Sequence, residues 1–192
     1  MSTAKCSNFI AVSLYPLVFL SIVCNIVLFF PAGETRYVKE GLITVEVKYM
    51  GGVLGGGIAV FIAALFIHLT GPNGCCGNRF GMFMSVAFAG LGLAGGIYSF
   101  IVAAVGVYNG PLCQQANGEW TSPFTQSEGQ YLRDHSVWDT CVKPRGIVQF
   151  NLGLFITLMV ISGLQCLLCA SQVINGLIGC VCGAGTEKKP IA

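Results

Sequence analysis

Ten cysteines are the residues of this 192-residue chain best suited to covalent chemistry. Cys113 and Cys141 enclose a segment that contains Gly, Pro, Trp and charged residues, and a disulfide between them is the natural pairing. Such a bridge would stabilise the folded segment by about 3 kcal/mol, because it restricts the conformational entropy of the unfolded chain. The segment needs this because it is too small to build its own core. A disulfide requires an oxidising compartment, whereas the alternative, a pair of thiols, does not.

A second group of cysteines lies near the ends of apolar segments, where reversible acylation is expected. Cys166 and Cys169 lie deeper in such a segment, where small packing groups and acylation sites both fit the sequence. A zinc site at residues 75–76 and 180–182 is an alternative, but adjacent cysteines and C-x-C spacing match the usual C-x₂₋₄-C pairs poorly. The predicted palmitoylation sites are Cys6, Cys75, Cys76, Cys180 and Cys182.

Four apolar segments must position these cysteines, and each can cross a hydrocarbon core of about 30 Å as a helix. With 9% charged residues and a mean hydropathy of +0.74, the chain lacks the polar surface that a soluble domain needs. We therefore predict an all-α membrane protein, an antiparallel four-helix bundle that forms a single domain over residues 1–192. The predicted spans are 9–30, 50–69, 82–108 and 147–174.

The connections between these spans lie on two faces of the membrane. Basic residues are present on both faces, so the positive-inside rule gives no orientation. The cysteine pair indicates that the large loop is extracellular or lumenal and that both termini are cytosolic. The first loop is 31–49, the inner loop 70–81, the large loop 109–146 and the cytosolic tail 175–192.

The third predicted span carries small residues at alternating steps of four and three. Small residues let helix backbones approach closely in lipid, and a period of 3.5 fits left-handed crossing at about +20°. Packing inside the monomer and a lateral dimer or partner contact are both compatible with this seam. The seam residues are Ser85, Ala89, Gly92, Gly96, Ser99, Ala103 and Gly106.

Polar side chains inside the spans need hydrogen-bond partners, because unsatisfied polar groups are costly in hydrocarbon. Asn25 and Asn151 fall at similar depth when each residue advances about 1.5 Å along its helix. We predict a hydrogen bond between them, directly or through Tyr98. A second polar tier, nearer the opposite face, is predicted to contain Ser13, His68 and Gln165.

Catalytic chemistry is not predicted for this chain. Its spans contain no Asp, Glu, Lys or Arg between their ends, which argues against an ion pathway. The sequence has no phosphate-binding glycine loop, HExxH, G-x-S-x-G or paired carboxylates. Its sparse basic residues form no stripe for nucleic acid. We expect no enzyme activity, no cofactor, no metal and no nucleic-acid partner.

The large loop carries aromatic residues among charged ones, a composition favoured at recognition surfaces. The alternative is that the tryptophans pack the loop around the disulfide or anchor it at the membrane interface. The partner-binding candidates are Trp120, Phe124, Tyr131 and Trp138.

Eight motifs are distributed along nearly the whole chain: PAGET, GGVLGGG, CCGNRFGMF, NGPLC, GEW, EGQYL, VWDTC and QVINGLIGCVCG. Together they resemble the L-six antigen family, the tetraspanin-like four-transmembrane proteins. Tetraspanins proper carry CCG in the large loop, whereas here Cys75-Cys76-Gly77 lies in the inner loop. Claudin-like proteins have Trp and Cys in the first loop, which has neither here.

The resemblance implies a non-enzymatic membrane adaptor that recruits integrins and signalling receptors into membrane microdomains, and so influences adhesion, migration and proliferation. It implies a multi-pass protein of the plasma membrane, with an endolysosomal membrane as the alternative. The lipid bilayer and membrane receptors would be its partners, and a homo-oligomer is compatible with this role. The alternative function is a channel or transporter accessory subunit, or a self-assembling pore. The path of such a pore is predicted to run beside Asn25, Tyr98 and Gln165.

Overall fold

The computed structural model describes residues 3–70, 79–127 and 129–182. Four helices are long and apolar enough to cross a membrane, which confirms the predicted all-α membrane class. Helix α1 spans Thr3–Leu28. Helix α2 begins as a π-helix, Gly51–Ala59, and continues as an α-helix, Val60–Leu69. Helix α3 spans Arg79–Asn109 and helix α4 spans Ile147–Cys182.

The four helices pack as a ring in which α1 contacts α2, α2 contacts α3, α3 contacts α4 and α4 contacts α1. The interior contains one apolar cluster centred on Leu14, Ala63 and Ile67. A second cluster lies nearer the large loop predicted at 109–146, which we call the long loop from here on. This cluster includes Leu28, Phe155 and Val47. The outer faces expose large apolar side chains, as expected for helices surrounded by lipid.

The small-residue seam of α3 faces the interior of this ring, and all seven of its residues are buried. A Cβ added at Gly92 would lie 2.7 Å from the Cβ of Ala63 in α2 and 3.0 Å from the sulfur of Cys169 in α4. A Cβ added at Gly106 would meet the ring of Phe155. The seam therefore brings α3 close to α2 and α4 within the monomer.

The π-helical half of α2 contains five glycines, which can approach neighbouring backbones closely. Polar side chains of α1 and α4 bind its main chain. Asn25 Oδ1 accepts from Val53 N at 3.1 Å, and Ser21 Oγ donates to Gly52 O at 3.0 Å. These bonds satisfy main-chain groups at membrane depth and hold this segment against α1.

The first loop contains short helical turns at Pro31–Gly33, Arg36–Lys39 and Val45–Lys48. The long loop contains a two-stranded antiparallel sheet, formed by β1 (Cys113–Gln114) and β2 (Trp120–Thr121). Two 3₁₀ helices follow, at Gln130–Leu132 and His135–Thr140.

Several observed helix boundaries differ from the spans drawn on hydropathy. Helix α1 already begins at Thr3, and α4 continues past residue 174 to Cys182. The continuation of α4 packs on α3, because a Cβ added at Gly176 would lie 2.6 Å from Val86 Cγ2. Tertiary contact therefore extends α4 through an Asn-Gly pair that resembles a helix end.

Candidate functional site

The long loop is closed by a disulfide between Cys113 and Cys141, as the sequence predicts, with a Cα–Cα distance of 5.4 Å. The small sheet lies beside the disulfide and pairs Cys113 with Thr121. Gln114 N also donates to Lys143 O at 2.9 Å. The bridge and these main-chain bonds together tie both ends of the loop to one another.

A small apolar core fills the long loop under the disulfide. It contains Cys113, Phe124, Tyr131, Ile147 and Val148, so it includes the first turn of α4. Phe124 stacks on Tyr131 with ring centroids 4.6 Å apart. The Tyr131 hydroxyl donates to Val107 O in α3, and burial raises the pKa of Tyr131 to about 12.

These contacts correct the prediction that Phe124 and Tyr131 are exposed for partner binding. Phe124 is 3% exposed and Tyr131 is 1% exposed, so both are packing residues of the loop. The reason is that the disulfide and the start of α4 together enclose enough volume for two aromatic rings. Burial removes the apolar surface of these rings from water, which stabilises the loop.

The two tryptophans are half-buried and serve partly as packing residues. Trp138 Nε1 donates to Tyr131 O at 2.8 Å, which fixes the indole over the loop core. Trp120 packs on Tyr37 of the first loop, with ring centroids 5.8 Å apart. Both rings therefore keep an accessible part while they join separate segments of the surface.

The first loop and the long loop are also joined by buried polar contacts at the end of the bundle. Thr44 Oγ1 accepts from Leu112 N at 3.3 Å and from Asn151 Nδ2 at 3.2 Å. Asn109 Nδ2 donates to the largely buried Glu46 carboxylate at 2.6 Å. The long loop is therefore fixed in orientation relative to α3 and α4.

The intramembrane polar residues bond to partners other than the predicted ones. Asn25 binds the main chain of α2 and Asn151 binds Thr44, so the predicted Asn25–Asn151 bond is wrong. Tyr98 is 41% exposed and donates to Tyr49 O at 2.8 Å. Main-chain groups of α2 and of the turn before it lie within reach of Asn25 and Tyr98, whereas the Thr44 hydroxyl lies within reach of Asn151. Hydropathy cannot show which groups are neighbours.

The predicted tier of Ser13, His68 and Gln165 does not form either. Gln165 Nε2 donates to Gly56 O at 2.8 Å in the bundle interior. The His68 ring approaches Tyr15 at 3.5 Å, and Ser13 donates to a carbonyl of its own helix at 2.9 Å. The three side chains therefore serve different contacts.

Sequence reasoning missed a second polar network on α4. Ser162 Oγ donates to Ser99 Oγ at 2.8 Å. Gln172 Nε2 lies 2.7 Å from Ser85 Oγ and 3.0 Å from Ser7 Oγ, which joins α4 to α3 and α1. Ser162, Gln165 and Gln172 recur at steps of three and seven, a helical spacing that could have revealed one buried face.

The predicted acylation sites fall into two groups. Cys6 in α1 and Cys180 in α4 are half-buried at helix ends on the same side. Cys75 and Cys76 lie outside the described residues, as does the side chain of Cys182. Cys169 is fully buried against the seam. Within residues 3–70, 79–127 and 129–182, no three His, Cys, Asp or Glu side chains are grouped to hold a metal ion.

Four spanning helices and one disulfide-closed loop with its own apolar core define a multi-pass membrane protein of the tetraspanin-like class. The family model described as L6 membrane protein matches residues 1–186. The chain belongs to this L6 membrane protein family.

Its curated relatives are similar over nearly their full lengths. Mouse transmembrane 4 L6 family member 4 is 46% identical over 95% of this chain and 93% of its own length. Human transmembrane 4 L6 family member 1 is 41% identical over 95% of both chains. Bovine transmembrane 4 L6 family member 5 is 38% identical over 98% of both chains. No solved structure gives a significant match.

Proposed function

We propose that this L6 family protein is a non-enzymatic membrane adaptor that gathers integrins and signalling receptors into membrane microdomains, and so influences adhesion, migration and proliferation. The observation that carries the proposal is the construction of the long loop. Its disulfide and apolar core give it a fixed shape, and its polar contacts fix that shape on the bundle. A preorganised surface loses little entropy when a partner binds.

The proposed location is the plasma membrane, with the long loop outside the cell and both termini in the cytosol. The disulfide supports this orientation because it requires an oxidising compartment. Cys6 and Cys180 then lie near the cytosolic ends of α1 and α4, where palmitoylation would bias the lipids around the protein. Clustering a client with other clients raises their effective concentration without any chemical step.

The partner surface that we propose is a groove of about 460 Å³ between the end of α3 and the 3₁₀ helix Gln130–Leu132. Tyr108, Leu132 and Arg133 line it, and all three are exposed. Tyr and Arg are the residue types that most often dominate binding energy at protein interfaces. This groove takes the place of the buried Phe124 and Tyr131 as the recognition site.

The test is quantitative mass spectrometry of proteins that co-purify with the full chain in mild detergent. The Arg133→Ala/Leu132→Ser double variant should lose integrins or signalling receptors that the wild type retains. A control double variant, Lys39→Ala/Val45→Ser, removes one exposed cation and one exposed apolar residue from the first loop and should retain them. The comparison uses variants that reach the same level at the cell surface as the wild type and that melt at the same temperature. If the groove variant retains these receptors as well as the control variant does, the groove is not the partner surface.

The channel or pore alternative requires Asn25, Tyr98 and Gln165 to line one path. Asn25 and Gln165 instead hold the main chain of α2, and Tyr98 lies at the outer surface. The arrangement therefore favours the adaptor. Flux through the purified protein that disappears in Gln165→Leu would favour the channel.

A further inference from the structure

A different cavity, of about 530 Å³, lies where the long loop meets the membrane-spanning bundle. Its walls are the 3₁₀ helix His135–Thr140 and the first turn of α4, which begins at Ile147. The apolar span of α4 also begins at Ile147. A ligand held at this end of the span would lie near the lipid headgroups.

One wall of the cavity is aromatic. Trp138 lines it, and the ring of His135 meets the indole edge to face with centroids 4.4 Å apart. The hydrogen bond from Trp138 Nε1 to Tyr131 O holds the indole in place before any ligand arrives. The face of a Trp ring attracts a cation, and the attraction is stronger when the cation is desolvated.

A carboxylate lies beside this aromatic wall. Asp139 is exposed and lines the same cavity as Trp138. The 3₁₀ helix that presents both residues is capped by Asp134, whose carboxylate accepts from Ser136 N at 3.0 Å and from Ser136 Oγ at 2.6 Å. Aromatic faces recognise quaternary ammonium groups, and a carboxylate that lines the same cavity adds coulombic attraction for the cation.

Two basic residues lie on the turn beside the cavity, although neither belongs to its lining. Cys141 and Gly146 both line it, and the turn between them contains Lys143 and Arg145, which are exposed. Basic side chains in such a position favour a phosphate group. The cavity therefore offers negative charge with an aromatic ring in one place and positive charge nearby, which suits a zwitterionic ligand better than a simple cation or anion.

We propose that this cavity binds the phosphocholine headgroup of a membrane lipid. The trimethylammonium group packs on Trp138 beside Asp139, and the phosphate lies toward Lys143 and Arg145. The quaternary ammonium chemistry is shared with free choline. We choose the lipid because Ile147, the first residue of a membrane-spanning helix, lines the cavity. The site is independent of the partner groove, with which it shares no lining residue.

The test uses the full chain in nanodiscs that contain equal amounts of phosphatidylcholine, phosphatidylethanolamine and phosphatidylglycerol. Native mass spectrometry counts the lipids that remain bound after release. The wild type should retain phosphatidylcholine preferentially. Trp138→Leu should lower its retention by about two- to fivefold, the factor that corresponds to 0.5–1 kcal/mol for a cation on an exposed ring. Asp139→Asn should lower it by about 1.4- to fivefold, the factor that corresponds to 0.2–1 kcal/mol for an exposed charge pair. Glu119→Gln and Trp120→Leu are matched controls outside the cavity and should retain it fully.

Three results would overturn the assignment. The first is equal retention of the three lipids by the wild type, and the second is an unchanged preference in Asp139→Asn. Because Asp139 is exposed, its replacement by Asn leaves the fold intact even if Trp138→Leu does not. The third is that choline chloride, added to protein in a detergent without choline, binds as tightly as the lipid, which would assign the site to a soluble quaternary ammonium compound.

Discussion

Gly95→Ala should separate α3 from α2 and destabilise the bundle. A Cβ at this position would lie 2.6 Å from the Cβ of Ala59 and 2.7 Å from Gly55 O. Neither neighbour has a flexible end that can move aside, because one is a methyl group and the other is main chain. The two helices must therefore move apart to admit one methyl group.

The magnitude follows from comparison with Gly90→Ala in the same helix. A Cβ at Gly90 meets no atom within 4 Å. Both substitutions gain about 0.5–1 kcal/mol of helix stability, because Ala loses less backbone entropy than Gly. That gain cancels between the two variants. Their difference in unfolding free energy is then the overpacking penalty at Gly95, about 1–3 kcal/mol.

The assay is thermal unfolding of wild type, Gly95→Ala and Gly90→Ala in one detergent. At about 2–4 °C per kcal/mol for a chain of this size, Gly95→Ala should melt about 2–12 °C below Gly90→Ala. Gly90→Ala should melt at or slightly above the wild type. If Gly95→Ala melts with or above Gly90→Ala, the close crossing of α2 and α3 is refuted.

Three further predictions concern polar contacts and the long loop. Asn25→Leu removes the acceptor for Val53 N and should lower the unfolding free energy by about 1–3 kcal/mol. The control is Thr157→Val, because the Thr157 hydroxyl donates to Gly153 O within its own helix. This control should change the unfolding free energy little in the same thermal melts. Cys113→Ser/Cys141→Ser should lose about 3 kcal/mol of loop stability and become sensitive to protease within the loop while the circular dichroism of the helices stays unchanged. Burial raises the pKa of Tyr131 from 10.0 to about 12, so the neutral Tyr131 hydroxyl stabilises the fold fully below pH 10, and this stabilisation disappears as the pH rises toward 12. Ultraviolet titration should show a late-ionising tyrosine that Tyr131→Phe removes. A late step that is unchanged in Tyr131→Phe would contradict this prediction.

The four spans and the disulfide could be predicted because they depend on local signals. Twenty or so apolar residues indicate a helix in lipid whatever its neighbours are. Cys113 and Cys141 are the only cysteines in the long loop, so their pairing needed no three-dimensional information. The seam of α3 was visible for the same reason, since helical spacing alone places its residues on one face.

Contacts between helices could not be predicted in this way. The rise per residue along each helix predicted the same depth for Asn25 and Asn151, but depth does not show which groups lie beside a side chain. The π-helical turn of α2 brings Val53 N to Asn25, and the first loop brings Thr44 to Asn151. Gly95 was missed because the seam included Gly96, one residue further on, which faces Cys166 in α4.

The burial of the loop aromatics was hidden for a related reason. Aromatic residues among charged ones fit both a recognition surface and a small core. Only the position of α4 decides between them, because Ile147 and Val148 complete the core under Phe124 and Tyr131. Arg133 and Tyr108 could not be chosen as surface residues until that core was defined.

The length of α4 links the loop to the thickness of the bilayer. Its 36 residues extend about 54 Å at about 1.5 Å per residue, against a hydrocarbon core of about 30 Å. A helix with such hydrophobic mismatch tilts more in a thin membrane and less in a thick one. Because the first turn of α4 forms part of the loop core, a change in tilt also turns the loop relative to the membrane plane. Membrane thickness would thus set the angle at which the long loop stands on the membrane surface.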